Sequence, residues 1–126
     1  RDARRRRRVR PRSVLLVDDH AGFRRSLGVF LAEAGYHVAG EAADGASALR
    51  EAARLRPDVV LLDVQLPDQD GFEVARQLAA APSPPAVVMI SSRDDPTYSR
   101  RATESSTRGF VPKSRLSRAA LEHILR

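Results

Sequence analysis

The sequence contains no cysteine, only one lysine and only one methionine, and it has no long apolar run. Without cysteine the chain has neither a disulfide framework nor a thiolate metal site, which suits a cytoplasmic protein. No stretch approaches the roughly 18 consecutive apolar residues of a membrane-spanning helix, and no secretory signal is recognisable. These absences favour a globular protein in the cytoplasm, with no membrane partner.

The excess of positive charge is concentrated at the start of the chain. Residues 1–12 hold eight arginines and one aspartate, a balance of +7, whereas the other 114 residues hold 14 basic and 15 acidic side chains, a balance of −1. Because consecutive arginines repel one another and bury nothing, we predict a disordered, Arg-rich tail over residues 1–12 and one folded domain over residues 13–126. The tail is either a solvated extension or a weak contact for nucleic acid. The only methionine is Met89, so we expect the sequence to be a piece of a longer protein.

Five short apolar runs alternate with longer amphipathic stretches. The runs V-V-L-L and V-V-M-I are apolar throughout, which is typical of strands that helices cover on both faces of a parallel sheet. The predicted strands are Ser13–Val17, His37–Ala42, Val59–Leu62, Ala86–Ser91 and Gly109–Pro112.

Helical spacing of apolar residues marks the stretches between these strands, as at Phe23 and Leu27. Asp44 and Asp70 precede two of the stretches and are suited to cap them. Five β-α units in a row predict an open, doubly wound α/β domain with right-handed crossovers. The predicted helices are Ala21–Ala34, Gly45–Leu55, Gly71–Ala80, Pro96–Thr107 and a last one capped by Ser117.

Acidic and hydroxyl side chains stand where three of the strands end. Asp18 and Asp19 follow the first strand, Asp63 follows the third, and Ser91 ends the fourth. Ligands of open α/β sheets bind beyond the carboxyl ends of the strands. Any single acid here could cap the following helix, but three carboxylates at one edge repel one another unless a cation balances them. Oxygen ligands without thiolates are suited to Mg²⁺.

Lys113, the single lysine beside 21 arginines, follows the fifth strand. Alone it would be interpreted as a surface lysine, but an ammonium is also a compact charge that can reach a phosphoryl oxygen. In a shared pocket, one carboxylate would be the nucleophile. Mg²⁺, Lys113 and the Ser91 hydroxyl would then stabilise the charge of the transferred group. The combination predicts a phosphoryl-accepting pocket.

The motifs V-D-D-H, L-L-D-V-Q-L-P-D-Q-D-G, M-I-S-S and G-F-V-P-K-S, in this order and spacing, resemble the receiver domain of bacterial two-component response regulators. The resemblance covers about Ser13 to Arg126, and the K-S ending is similar to the NarL/LuxR-type branch. It implies a flavodoxin-like fold, in which a five-stranded parallel sheet of order 2-1-3-4-5 is covered by five helices.

The resemblance also implies roles for individual residues. Asp63 would be the phosphoacceptor, and Lys113 and Ser91 would take part in the phosphotransfer. Ser91 and Phe110 would be the switch residues. Many receivers have proline directly after the lysine, where this chain has Ser114, so the isomer of that peptide bond stays open.

The metal ligands implied by the resemblance are three acids and one backbone group. Asp19 would bind Mg²⁺ directly, Asp18 would act mainly through water, and Asp63 and the backbone carbonyl of Gln65 would be further ligands.

In function, the resemblance implies a signalling switch rather than a metabolic enzyme. A sensor histidine kinase would supply the phosphoryl group, and repacking of Ser91 and Phe110 would change the face formed by the fourth helix, fifth strand and fifth helix. The changed face would control an output, expected to be transcription through a DNA-binding domain absent from this chain. A phosphorylation-dependent homodimer is also implied.

Two other functions stay open at this point. A receiver-like interaction module that never takes phosphate would fit Ser92, which stands where a smaller residue is usual, and Mg²⁺ binding would argue against it. A Mg²⁺-dependent phosphohydrolase would need a second acid two residues past the nucleophile, where this chain has Gln65. Sustained turnover of a small phosphate ester would support that alternative.

Overall fold

A computed structural model of the protein describes residues 10–126. Five parallel strands form one sheet in the order β2-β1-β3-β4-β5, which confirms the expected topology. The strands are β1 (Ser13–Val17), β2 (His37–Ala42), β3 (Val59–Asp63), β4 (Ala86–Ser91) and β5 (Gly109–Pro112).

Five helices cover the two faces of this sheet. Alternate residues of β1 illustrate the division, because Leu15 packs into one core cluster with α2, α3 and α4 whereas Leu16 packs into the other with α1 and α5. The helices are α1 (Ala21–Glu33), α2 (Gly45–Leu55), α3 (Gly71–Ala79), α4 (Tyr98–Glu104) and α5 (Arg118–Ile124). Every residue of β3 is buried, as expected of a strand covered on both faces.

Three of the helices begin at the predicted N-caps. The Asp44 side chain accepts a hydrogen bond from the backbone N–H of Ser47, and Asp70 caps α3 and Ser117 caps α5 in the same way. Because each cap stands a few residues after a strand, it fixes where the chain turns away from the edge of the sheet that carries the acids.

The fourth helix is shorter than the predicted Pro96–Thr107. At its start, Asp95 accepts hydrogen bonds from the backbone N–H and the hydroxyl of Thr97, so a turn precedes the helix. At its end, Ser106 adopts a left-handed backbone conformation with φ of 62°, which terminates the helix.

The predicted tail falls mostly outside the described residues, since residues 1–9 are not among them. Of the remainder, Arg12 lies beside the sheet, where its carbonyl accepts a hydrogen bond from the backbone N–H of His37. A boundary between tail and domain after residue 12 stays a prediction. Within residues 10–126 all peptide bonds are trans, including the one after Lys113.

No helix between residues 10 and 126 has both the length and the apolar character needed to cross a membrane.

Hydrogen exchange is expected to be faster in α4 than in α1. Each of the two helices has two buried residues, but α1 has thirteen residues against seven in α4 and also packs the partly buried Phe23 and Phe30 against the core. Few buried contacts place a helix at the low end of local stability. Hydrogen-deuterium exchange with peptide resolution measures this difference, and protection in α4 equal to that in α1 would contradict it.

Candidate functional site

Four strands of the sheet bring chemically active side chains to one edge. Asp63 and Ser91 are the last residues of β3 and β4, while Asp18 directly follows β1 and Lys113 directly follows β5. The carboxyl ends of parallel strands meet at the same edge of a sheet, and β1, β3, β4 and β5 are consecutive neighbours in it. The fold therefore gathers residues that are far apart in the sequence.

Lys113 links two of the carboxylates. Its Nζ lies 2.5 Å from Oδ2 of Asp18 and 3.0 Å from Oδ2 of Asp63, and its side chain is 13% exposed. The ammonium also lies 4.2 Å from the centroid of the Phe23 ring, a cation-π contact that orients it from a third side. The single lysine of the chain is thus held at the centre of the acidic cluster.

Asp18 and Asp19 differ in their surroundings. Asp18 is fully buried, and its Oδ1 accepts a hydrogen bond of 2.8 Å from the backbone N–H of His20. The Asp19 side chain is 38% exposed, and its Oδ1 lies 3.0 Å from Nδ1 of His20. Neither acid caps α1, because the N-cap is His20 and it makes no side-chain capping bond. Of the two carboxylates, Asp19 is therefore the one that solvent reaches.

Asp63 is buried, and its two oxygens have different partners. Oδ1 accepts a hydrogen bond of 3.0 Å from the backbone N–H of Gln65, and Oδ2 contacts Lys113. Burial and the neighbouring Asp18 raise the pKa of Asp63 to about 6, against the opposing effects of Gln65 and Lys113. At neutral pH its carboxylate is mostly ionised, yet it is held in surroundings that disfavour its charge.

The pKa values of the other two members of the cluster shift in the directions that favour their charged forms. Burial works against the ionised form of Asp18, but the neighbouring Asp63 and Lys113, together with the backbone N–H of His20, lower its pKa below the ordinary value. Burial likewise opposes the charge of Lys113, but the two carboxylates raise its pKa. An ionised Asp18 and a protonated Lys113 are therefore the stable forms, and Asp63 is the acid with the least favourable charge.

The two predicted switch residues lie on neighbouring strands. Ser91 is buried, and its Oγ accepts a hydrogen bond of 3.0 Å from the backbone N–H of Arg93, which leaves its own proton free to donate. Phe110 is half-buried and meets Tyr98 of α4 edge to face, with ring centroids 5.2 Å apart. Strand pairing therefore connects the end of β4 with a side chain that contacts α4.

Several supporting residues are not recognisable from the sequence alone. Phe23 was assigned to the core stripe of α1, but its ring contacts Lys113. Arg24 donates from its guanidinium to the backbone oxygen of Asp18 and pairs with Glu41 at 2.8 Å. Nothing in the sequence distinguishes Arg24 from the other 20 arginines. Its role becomes visible only when α1 is packed against β2, which brings Arg24 to Glu41.

Gly71 was predicted only as the first residue of a helix, yet it supports Asp63 directly. Its backbone N–H donates to the carbonyl of Val64 at 2.7 Å. A Cβ added at Gly71 would overlap the backbone oxygen of Asp63 and lie 2.8 Å from the carbonyl oxygen of Val64. The D-G step that ends the motif is the sequence signal for this close approach.

The donor set fits a hard divalent cation. Asp18, Asp19 and Asp63 contribute three negative charges and Lys113 one positive charge, which leaves −2 for a cation to balance. The Gln65 backbone follows Asp63 and forms an isolated bridge with Asp70, so it lies at the same edge. That Gln65 supplies its carbonyl to a metal stays a prediction.

Replacement of Asp63 by asparagine is expected to stabilise the metal-free protein at neutral pH. The folded-state pKa of Asp63 is raised to about 6 from an unfolded value of 3.8. The contribution of Asp63 to the free energy of unfolding is therefore full below pH 3.8 and is lost as the pH rises through about 6. Asparagine carries no charge, so the variant avoids this loss. We expect a gain of about 2 kcal/mol at pH 7.5 and none near pH 4.

Urea unfolding at both pH values in the presence of EDTA measures this gain. Glu73→Gln is the control, since Glu73 is exposed and, within residues 10–126, pairs only with Arg76 on its own helix. A gain of equal size at both pH values would show that burial of the Asp63 charge is not its cause.

Comparisons with known proteins show which family the chain resembles. The sequence profile of the response regulator receiver domain matches residues 14–126. The transcriptional regulatory protein PdtaR of Mycobacterium tuberculosis is 41% identical over 105 residues, which are 82% of this chain and 50% of PdtaR. A protein-glutamate methylesterase/protein-glutamine glutaminase of Anaeromyxobacter dehalogenans is 46% identical over 107 residues, which are 84% of this chain and 30% of that protein.

The chain thus spans half or less of the length of these two relatives. Among solved structures, the signal receiver domain of NarL from Mycobacterium tuberculosis superposes with a TM-score of 0.79 and 32% identity, over 91% of this chain and 97% of that one. The chain therefore belongs to the receiver domain family of two-component response regulators.

Proposed function

We propose that the chain is a phosphorylation-dependent switch that accepts a phosphoryl group on Asp63 from the phosphohistidine of a sensor histidine kinase, with Mg²⁺ as cofactor. The observation that carries the proposal is the position of Lys113, whose Nζ lies within 3.0 Å of carboxylate oxygens of both Asp18 and Asp63. An ammonium held there can pair with a phosphoryl oxygen once the group is bound to Asp63.

The chemistry assigned to Asp63 is nucleophilic attack. Its Oδ2 attacks phosphorus, a new O–P bond forms, and the P–N bond of the phosphohistidine breaks with its electron pair remaining on the imidazole nitrogen. Lys113 then moves from the carboxylate to a phosphoryl oxygen, and the Ser91 hydroxyl donates a hydrogen bond to another. With a pKa of about 6, Asp63 is ionised and ready to attack at neutral pH.

Mg²⁺, when bound, would neutralise charge on the carboxylates and on the transferred group. Asp19 and Asp63 would bind it directly with the carbonyl of Gln65, and Asp18 would bind mainly through water. The charge of −2 that remains in the pocket after Lys113 is counted supports this assignment.

Phosphorylation would be transmitted from the pocket to the protein surface by movements of Ser91 and Phe110. A Ser91 hydroxyl drawn toward the phosphoryl group gives up its bond with the backbone of Arg93. The space that it vacates lets Phe110 repack against Tyr98, its present neighbour at 5.2 Å. The face formed by α4, β5 and α5 would change as a result, since Tyr98 belongs to α4 and Phe110 to β5.

The output would belong to a longer protein. Transcriptional control through a DNA-binding domain outside this chain is the output we propose, in the cytoplasm, with a phosphorylation-dependent homodimer as the active form. The Arg-rich residues 1–12 would add at most a weak, salt-sensitive contact with DNA. The domain itself would act as a signalling component rather than as a metabolic enzyme.

Incubation with acetyl phosphate tests the proposal. We expect the intact mass to rise by one phosphoryl group in the presence of Mg²⁺ and to stay unchanged when EDTA removes the metal, because the acids then repel the incoming phosphate. Mass spectrometry of the intact protein measures both. An unchanged mass with Mg²⁺ would favour an interaction module that takes no phosphate, and sustained release of phosphate beyond one equivalent would favour a hydrolase.

A further inference from the structure

His20 lies against both acids that follow β1. Its Nδ1 is 3.0 Å from Oδ1 of Asp19 and 3.3 Å from Oδ1 of Asp18. The ring is 73% exposed and does not cap α1, although His20 is the N-cap residue of that helix. The function proposed above gives this imidazole no task.

The two separations from the His20 nitrogen match the distances between ligand atoms around a metal ion. Ligand atoms about 2.1 Å from a tetrahedral Zn²⁺ are about 3.4 Å apart, and those around an octahedral ion at the same distance are about 3.0 Å apart. The two separations from the ring nitrogen, 3.0 and 3.3 Å, fall in this range. One ligand atom from each of Asp18, Asp19 and His20 lies within 4.8 Å of the others.

The negative charge around the ring is only partly balanced. Among the residues that the structure describes, His20 is the only polar side-chain partner of Asp19. Asp18 shares the single ammonium of Lys113 with Asp63, so the pocket keeps an uncompensated charge of −2. A cation that enters from solvent meets the exposed imidazole first.

Because His20 offers a nitrogen ligand, it strengthens the binding of some cations more than that of others. Mg²⁺ prefers oxygen ligands and keeps several waters, so an imidazole adds little to its binding. Zn²⁺ binds neutral imidazole nitrogen strongly, in keeping with its place near the top of the affinity order of divalent ions. With its proton on Nε2, the ring would offer the Nδ1 lone pair to the metal.

We propose that His20 is a nitrogen ligand through which this pocket binds Zn²⁺, together with Asp18 and Asp19, in competition with Mg²⁺. The inference rests on the metal site of the proposed function and adds to it a residue that determines metal preference. An ion held by these three residues occupies the β1 side of the pocket, so Zn²⁺ and Mg²⁺ exclude each other through the shared carboxylates.

Isothermal titration calorimetry of the whole chain with Zn²⁺ and with Mg²⁺, each alone at pH 7.5 in a buffer that binds neither metal, tests the proposal. We expect His20→Asn to weaken Zn²⁺ binding by about tenfold or more, a size typical of the loss of a metal-site group. Mg²⁺ binding should change by less than about twofold, because the oxygen ligands remain. Saturating Mg²⁺ should weaken the apparent Zn²⁺ affinity of the wild type.

The other two histidines supply matched controls. His37→Asn and His123→Asn each remove an imidazole that lies outside the pocket, on β2 and on α5, and should leave Zn²⁺ affinity unchanged. Bound Co²⁺ gives an independent reading, since its visible absorption depends on nitrogen ligation and should change only in His20→Asn. Circular dichroism checks that all three variants are folded.

Three results would overturn the proposal: no Zn²⁺ binding to the wild type, equal Zn²⁺ affinity in His20→Asn, or equal weakening of both metals in that variant. The last would mean that His20 acts only by positioning the acids. Failure of the proposed function has a different signature. A wild-type protein that binds no Mg²⁺ would refute the cofactor assignment, while the dependence of Zn²⁺ binding on His20 would still stand or fall on its own data.

Discussion

Asp63→Asn is expected to abolish phosphoryl uptake completely. The amide nitrogen and oxygen of asparagine are poor nucleophiles, so no acyl phosphate forms even though the side chain has the same shape. Lys113 keeps its contact with Asp18 in the variant, which preserves the pocket. After incubation with acetyl phosphate and Mg²⁺, the intact mass of the variant should equal that of the untreated protein.

Two comparisons make this experiment specific. Glu73→Gln also removes one carboxylate, but from the exposed face of α3, and it should take up the phosphoryl group as the wild type does. Fragmentation of the labelled wild-type protein should place the added mass on the peptide that contains Asp63. Full labelling of Asp63→Asn would assign the acceptor to another residue and refute the role of Asp63.

Gly71→Ala is expected to have the largest effect on stability among conservative replacements near the site. A methyl group at this position would overlap the backbone oxygen of Asp63 and lie 2.8 and 2.9 Å from the carbonyl oxygen and Cα of Val64. These are backbone atoms, so neither can move aside by changing a rotamer. We expect the free energy of unfolding to fall by about 2–3 kcal/mol, the cost of an overpacked buried position.

Gly71→Ala should also slow the uptake of the phosphoryl group. The backbone of Asp63 has to shift away from the new methyl group, and a displacement of reacting groups by a fraction of an ångström slows a reaction markedly. We expect the rate of phosphoryl uptake from acetyl phosphate to fall by about tenfold or more. Urea unfolding and a time course of intact mass measure the two effects.

Gly22→Ala is the matched control for this variant. Gly22 also lies in the first turn of a helix, but nothing stands within 4 Å of an added Cβ there. Alanine should raise the free energy of unfolding by up to about 1 kcal/mol, since it favours the helix. Equal stability of Gly71→Ala and the wild type would show that the close approach of α3 to Asp63 is unimportant.

The fold was readable from the sequence because local and long-range signals coincide. Uninterrupted apolar runs such as Val59–Leu62 require cover on both faces, and the capping residues Asp44 and Asp70 locate the helices between the strands. The meeting of Asp63 with Lys113, 50 residues later, follows from topology alone, because both stand at carboxyl ends of strands in one parallel sheet.

Other features depend on packing that no pattern encodes. The limits of α4 are set by the Asp95 turn and by the left-handed backbone of Ser106, where the sequence offers only a stretch rich in serine and threonine. The contact of Phe23 with Lys113 was hidden because the helical spacing of Phe23 equally predicts a core residue. The roles of the site residues in phosphotransfer remain predictions, because geometry places them together without testing their chemistry.

The central claim is that Asp63, Lys113 and the acids after β1 form one pocket for a divalent ion and a transferable phosphoryl group. A crystal structure of the chain grown with Mg²⁺ and beryllofluoride, an analogue of the phosphoryl group, tests it most directly. We predict beryllium bound to Oδ2 of Asp63, Lys113 and Ser91 in contact with fluorine atoms, and the metal bound by Asp19. Lys113 still seated between Asp18 and Asp63, with both ligands absent from this edge of the sheet, would contradict the claim.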